Sequence, residues 1–111
     1  MASQYKVVVY VPITHGGAIR DAAGKAGAGQ QGNYSFCSFS VTGVGRFKPQ
    51  SGAQPAIGSI GKLEEVPEER IEFACDAALL HKVMAAIVAV HPYEEPAIDV
   101  LPLENWKDWV R

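Results

Sequence analysis

The sequence predicts an α+β fold, a ferredoxin-like split β-α-β sandwich in which an antiparallel sheet carries two helices on one face. Three observations predict it. An early valine run reads as a buried central strand, a later apolar stripe recurs at helical spacing, and the elements follow the order strand, helix, strand, strand, helix, strand. With 111 residues, 48% of them hydrophobic and 20% charged, the chain is expected to be one domain spanning residues 1–111. A chain of that size buries roughly two thirds of the surface it exposes when unfolded.

Tyr5 to Val11 supplies the first strand, whose centre Val7-Val8-Val9 is apolar on both faces, as a central position requires. Pro12 ends it. Thr14 is the expected N-cap of a helix running to about Ala28, with Ala18, Ile19, Ala22, Ala23 and Ala26 as its buried side. Gly16, Gly17 and Gly24 each cost up to roughly 1 kcal/mol relative to Ala inside a helix, so this element must lean on the sheet. Gly27, Gly29 and Gly32 then open a loop.

From Tyr34 to Val41 the residues alternate, with Tyr34, Phe36, Ser38 and Ser40 opposite Ser35, Cys37, Phe39 and Val41, which predicts a strand. Gly43 to Gly61 breaks into short extended pieces and turns anchored by Phe47, Ile57 and Ile60. Glu64 to Asp76 predicts another strand, with Ile71, Phe73 and Cys75 inward and Arg70 and Glu72 outward. Asp76 is placed to cap a second helix, in which Leu80, Val83, Met84, Ile87 and Val88 follow the i, i+3, i+4, i+7, i+8 stripe of a helix lying on a sheet. Pro92 removes a backbone donor and pushes His91 out of the helical region, so that helix ends there. Ala97 to Leu101 forms the last strand. Glu104 to Arg111 carries Trp106 and Trp109 at i, i+3, and a terminal helical turn would dock both indoles on one side.

Charge and cysteine content narrow the function classes. A net charge of −2 with scattered Lys and Arg offers no footprint for nucleic acid. No apolar stretch reaches the roughly 20 residues of a membrane span, and the start lacks the regions of a signal peptide, so a cytoplasmic location is expected. Cys37 and Cys75 stand far apart and read as small buried apolar residues. The acidic run Glu64, Glu65, Glu68, Glu69 and Glu72 reads as a solvated strand edge that discourages edge-to-edge pairing. Because two helices cover only one face of the sheet, the other is expected to be covered by further copies of the chain.

The densest cluster of chemistry is His91-Pro92-Tyr93-Glu94-Glu95-Pro96, set on a connection between helix and strand, where function often resides. His91, Glu94 and Glu95 are the candidate ligands of a divalent metal such as zinc or copper, with Tyr93 alongside, although a tight site needs three or four converging ligands. The competing readings are a turn held by His91 and Tyr93 with the carboxylates in salt bridges, and acid-base work by the two glutamates. Other signals are weaker. His15 beside Gly16-Gly17 offers an anion the start of the first helix. Gly24-Lys25 narrowly misses a phosphate-binding loop, since Ile19 stands where its first glycine should be. His81, an ideal-helix offset of roughly 280° from His91, shares no face with it.

The pattern Gly27-Ala28-Gly29, Gly32-Asn33-Tyr34, Cys37-Ser38-Phe39, Gly43-Val44-Gly45-Arg46-Phe47-Lys48-Pro49, Gly52-Ala53, Pro55, Ile57-Gly58 and Glu68-Glu69-Arg70-Ile71-Glu72, closed by the His91 segment, resembles the YqfO-type domain. That domain is found inserted in the Nif3-like dinuclear-metal-centre proteins and as a freestanding chain. A looser similarity links the sequence to CutA proteins, which also close with a His-Pro-Tyr segment, a strand and a Trp-bearing terminal helix. The resemblance implies a fold of the PII and CutA type with a short C-terminal helix, and a trimer. It brings no activity, because the paired metal ligands of Nif3-like proteins lie outside the insert. By analogy with PII-like folds, the glycine-rich span lines a small-molecule pocket with Arg46, Lys48 and Tyr93 as contacts. The expected function is an oligomeric binding or regulatory module without catalysis. A CutA-like copper or zinc protein and a metal-dependent hydrolase of a nucleotide-like substrate are the alternatives.

Overall fold

A central strand must be apolar on both faces, and β1 (Gln4–Pro12) is, with Val7, Val8, Val9 and Val11 all buried. In the computed structural model, which describes residues 2–110, β1 lies between β3 (Glu64–Asp76) and β4 (Ala97–Leu103), and β2 (Phe39–Phe47) pairs with the far side of β3. The order is β2-β3-β1-β4 and every pairing is antiparallel. Helices α1 (Gly16–Lys25) and α2 (Leu80–Val90) pack together on one face. There Val7, Val9 and Val11 meet Ile19, Ala23, Ile71, Phe73, Cys75, Val83 and Ile87 in a single core. This is the split β-α-β sandwich the sequence predicts.

Several local expectations change. Thr14 does not cap α1; Ile13–His15 forms a 3-10 turn, α1 begins at Gly16, and the Thr14 hydroxyl bonds His15 Nδ1 at 2.9 Å. The helix closes at Lys25 rather than Ala28, and Ala18 is exposed. The second strand is β2 at Phe39–Phe47, not Tyr34–Val41, because Phe36 takes a positive φ of 58° that no strand accommodates. Phe36 instead lays its ring on Gly24 of α1, where a Cβ would sit 2.1 Å from the ring. Asp76 makes no capping bond; its carboxylate accepts from Gln4 Nε2 at 3.0 Å, and a 3-10 turn, Ala77–Leu79, leads into α2. Val88 is 54% exposed, so the buried stripe of α2 ends at Ile87. Trp106–Trp109 is a 3-10 turn with indoles 61% and 75% exposed, which replaces the expected docked helix; Arg111 lies outside the described residues.

The face away from the helices is not bare. Val8 at its centre is 1% exposed, and the side chains around it are charged. Glu72 takes Lys6 at 3.8 Å and Arg70 at 3.3 Å, and the Arg70 guanidinium lies 5.7 Å from the centre of the Tyr10 ring. Long charged side chains cover apolar surface with their stems. Exposed apolar groups remain on this face at Phe39 and Val41 of β2, opposite Glu72 and Arg70, and at Leu101 of β4, opposite Lys6; Val44 of β2 is exposed on the other side.

Pairing lengths position the site. β3 runs alongside β1 only from Asp76 to Glu68, while Glu64–Pro67 pairs with β2 alone, so the two strands continue as a ribbon past the body of the sheet. The molecule is accordingly 54 Å long and about 25 Å across. The connection 48–63 folds back at the ribbon's end through Gly52, Gly58 and Gly61, each at positive φ, and Gly61 N–H donates to the Pro49 carbonyl at 2.7 Å.

Candidate functional site

At the base of that ribbon, four sequence-distant pieces meet: the end of β1, strand β2 with the start of its loop, Glu68 of β3, and the segment after α2. They enclose an open cleft of about 460 Å³. Its walls are mostly carbon, from Val44, Phe47, Pro49 and Ile57 among others, and its polar groups are Glu68, Tyr93, Arg46, Lys48, Glu94 and Glu95.

The segment after α2 is shaped by its prolines. His91 is extended, with φ −75° and ψ 131°, as the residue before Pro92 should be, and its N–H closes the helix on the Ile87 carbonyl. The imidazole is buried and used at both nitrogens. Nδ1 accepts the Tyr93 N–H at 3.2 Å, which places the ring proton on Nε2, and Nε2 donates to the Tyr10 carbonyl at 2.8 Å. His91 therefore ties the end of α2 to the end of β1 from behind the cleft wall. It would have to give up one of these bonds to ligate a metal.

Tyr93 turns into the cleft. Its ring meets Phe47 edge-on at 5.6 Å, and its hydroxyl donates to Glu68 Oε2 at 2.8 Å. Burial first, then the bond to Glu68 and its charge, push the phenol above the usual tyrosine range. Glu94 Oε1 accepts the Gln54 N–H at 2.7 Å, fastening the 48–63 connection across the cleft mouth, and Glu95 lies on the rim. The three residues expected as a metal set thus play different parts, and among the described residues no group of three or more His, Cys, Asp or Glu side chains converges on a metal position. Tyr93, Arg46 and Lys48, expected to share one pocket, do line one cleft, although Arg46 Nε is held by Glu65 at 2.7 Å.

Two glutamates read as solvated are not. Glu68 and Glu69 are buried, at 7% and 9% exposure. Glu69 continues the inward alternation of Ile71, Phe73 and Cys75 and meets Arg20 of α1; that phase was present in the sequence. Glu68 lies on the opposite face, and its burial comes from Tyr93 and from Gly45, whose missing side chain leaves the space its carboxyl group fills. A Cβ there would stand 2.2 Å from Glu68 Cδ. His15 and His81 are both exposed and away from the cleft. No helix among the described residues is long and apolar enough to cross a membrane.

Comparison with known proteins places this geometry among relatives. No family model matches the chain. A protein of Halalkalibacterium halodurans named GTP cyclohydrolase 1 type 2 homolog is 52% identical over 103 residues, covering 93% of this chain and 28% of that protein. Among solved structures, a Bacillus cereus protein related to NIF3 is 51% identical with a TM-score of 0.82, over 94% of this chain and 26% of that one. The chain thus spans about a quarter of the length of the relatives it matches. The periplasmic divalent cation tolerance protein CutA of Archaeoglobus fulgidus superposes with a TM-score of 0.67 at 17% identity, over 96% of this chain and 94% of that one, a likeness of fold.

Proposed function

Because this chain is a YqfO-type domain, homologous to one segment of Nif3-related proteins and sharing the CutA fold, we propose that it acts as a binding or regulatory module whose ligand seat is the Tyr93 cleft. The observation that carries this reading is the convergence on one apolar cleft of Glu68, Tyr93 and Lys48, brought together from strand, post-helix segment and loop. A cleft of that volume, mostly carbon with a few directed polar groups, has the character of a small-molecule site. The cyclohydrolase label belongs to proteins more than three times as long and is not carried over to this segment. His91 behind the cleft wall and Glu94 at its mouth are occupied in holding the walls, which favours recognition over acid-base chemistry.

Copies of the chain associate, as a trimer, through the exposed edge strand β2. Its free edge and its exposed Phe39, Val41 and Val44 support this. Sedimentation velocity at micromolar concentration tests it, with a stable single chain as the contrary result.

The binding role is tested by native mass spectrometry of protein purified gently from its host, together with thermal-shift screening of metabolites. A bound or stabilising small molecule lost in the Phe47→Ala variant is expected. A wild-type protein that carries nothing and responds to no metabolite would end the proposal.

A further inference from the structure

Strand β3 carries five glutamates, and four have cationic partners. Glu64 lies near Lys62, Glu65 holds Arg46, Glu69 meets Arg20, and Glu72 takes Lys6 and Arg70. Glu68, the most buried of the five, has none among the described residues. Among the described residues its one hydrogen bond joins Oε2 to the Tyr93 hydroxyl, and Oε1 accepts nothing. No sealed side-chain oxygen or nitrogen among the described residues lacks a partner, so Oε1 keeps an opening, and Glu68 lines the cleft. Burying a carboxylate without a cation or a full set of donors is unfavourable, which makes such a group a marker of a site completed by something else.

We propose that the cleft takes a small organic cation, an amidinium or primary ammonium on a flat apolar body, whose N–H donors bond Glu68 Oε1. This inference rests on the cleft being a binding site and names its ligand class. The geometry supplies each part. Gly45 leaves the space in which the Glu68 carboxyl group packs over β2, and Tyr93 occupies Oε2, so Oε1 is the oxygen left for a ligand. Phe47 and Ile57 offer the apolar body carbon surface, and an aromatic wall also favours a cation. A bare metal ion fits poorly, since among the described residues the Glu68 carboxylate is not joined by two further ligands.

The test uses the full chain labelled with 15N and three probes of nearly one shape: benzamidine, uncharged benzamide and anionic benzoate. Benzamidine is expected to shift the amides of Gly45, Phe47 and Tyr93 saturably, at least tenfold more tightly than benzamide. Glu68→Gln should weaken benzamidine at least tenfold and leave benzamide unchanged. Benzamide or benzoate binding at those amides as tightly as benzamidine overturns the cationic class while leaving the cleft a binding site. If no probe moves those amides, the cationic class fails, and the binding reading stands or falls on the metabolite screen. Should Glu68→Gln not fold, the three probes on the wild-type chain still decide.

Discussion

The Tyr93 hydroxyl donates a 2.8 Å hydrogen bond to Oε2 of Glu68, joining residues 25 apart in sequence, one on the post-helix segment and one on β3. Removing the donor leaves a buried carboxyl group without its protein partner. Tyr93→Phe is therefore expected to lower stability by about 1–3 kcal/mol, the range for orphaning a buried polar group, as read from urea denaturation.

The same bond sets a pH dependence. Tyr93 has its folded pKa raised by burial and by Glu68, so the folded state holds the phenolic proton more tightly than the unfolded chain does. Stability from this group is complete below the unfolded tyrosine value of about 10 and is lost as pH rises beyond it. Denaturation profiles of wild type and Tyr93→Phe should converge above that pH. Parallel profiles throughout the alkaline range would contradict the assignment.

Gly45 and Gly43 both lie on β2, yet only one is constrained. A Cβ on Gly45 would overlap the Glu68 carboxyl group, whereas one on Gly43 meets nothing within 4 Å. Gly45→Ala should displace Glu68 and cost about 1–3 kcal/mol, as overpacking does, while Gly43→Ala should stay within about 0.5 kcal/mol of wild type. In a Glu68→Ala background the Gly45→Ala penalty should largely vanish, a coupling that a double-mutant cycle measures.

The ring proton of His91 resides on Nε2, because Nδ1 accepts the Tyr93 N–H. Long-range 1H–15N spectra should show that tautomer. His91→Ala releases the Tyr10 carbonyl and the Tyr93 amide together and should cost about 1–3 kcal/mol. A metal-bound imidazole would instead show a coordinated nitrogen shift on adding zinc.

Legibility in the sequence followed the range of the interactions. Strand β3 was readable at both ends because alternation about Ile71, Phe73 and Cys75 is a local signal, and α2 was readable as far as His91 because Pro92 fixes its end. Strand β2 was displaced by five residues at its start because Phe36 alternates like a strand residue but turns back onto Gly24, a contact made by tertiary packing. Tyr93, Arg46 and Lys48 carried recognisable chemistry, whereas Glu68 did not. Its neighbours in sequence say solvated edge, and only Tyr93 and Gly45, brought in from elsewhere, bury it.

Gly24 gives the sharpest test of that tertiary contact. In an ordinary helix interior Gly→Ala stabilises by about 1 kcal/mol. Here the new methyl would stand 2.1 Å from Phe36 Cδ2 and 2.7 Å from Cγ, so the whole ring must leave its seat rather than swing its far edge. Gly24→Ala alone should therefore destabilise, even though propensity favours it. With Phe36→Ala the obstruction is gone, and adding Gly24→Ala should stabilise that variant by about the ordinary 1 kcal/mol. The sign of the Gly24→Ala effect thus reverses with the residue at position 36. Equal effects in both backgrounds would mean that Phe36 does not pack on α1 in solution.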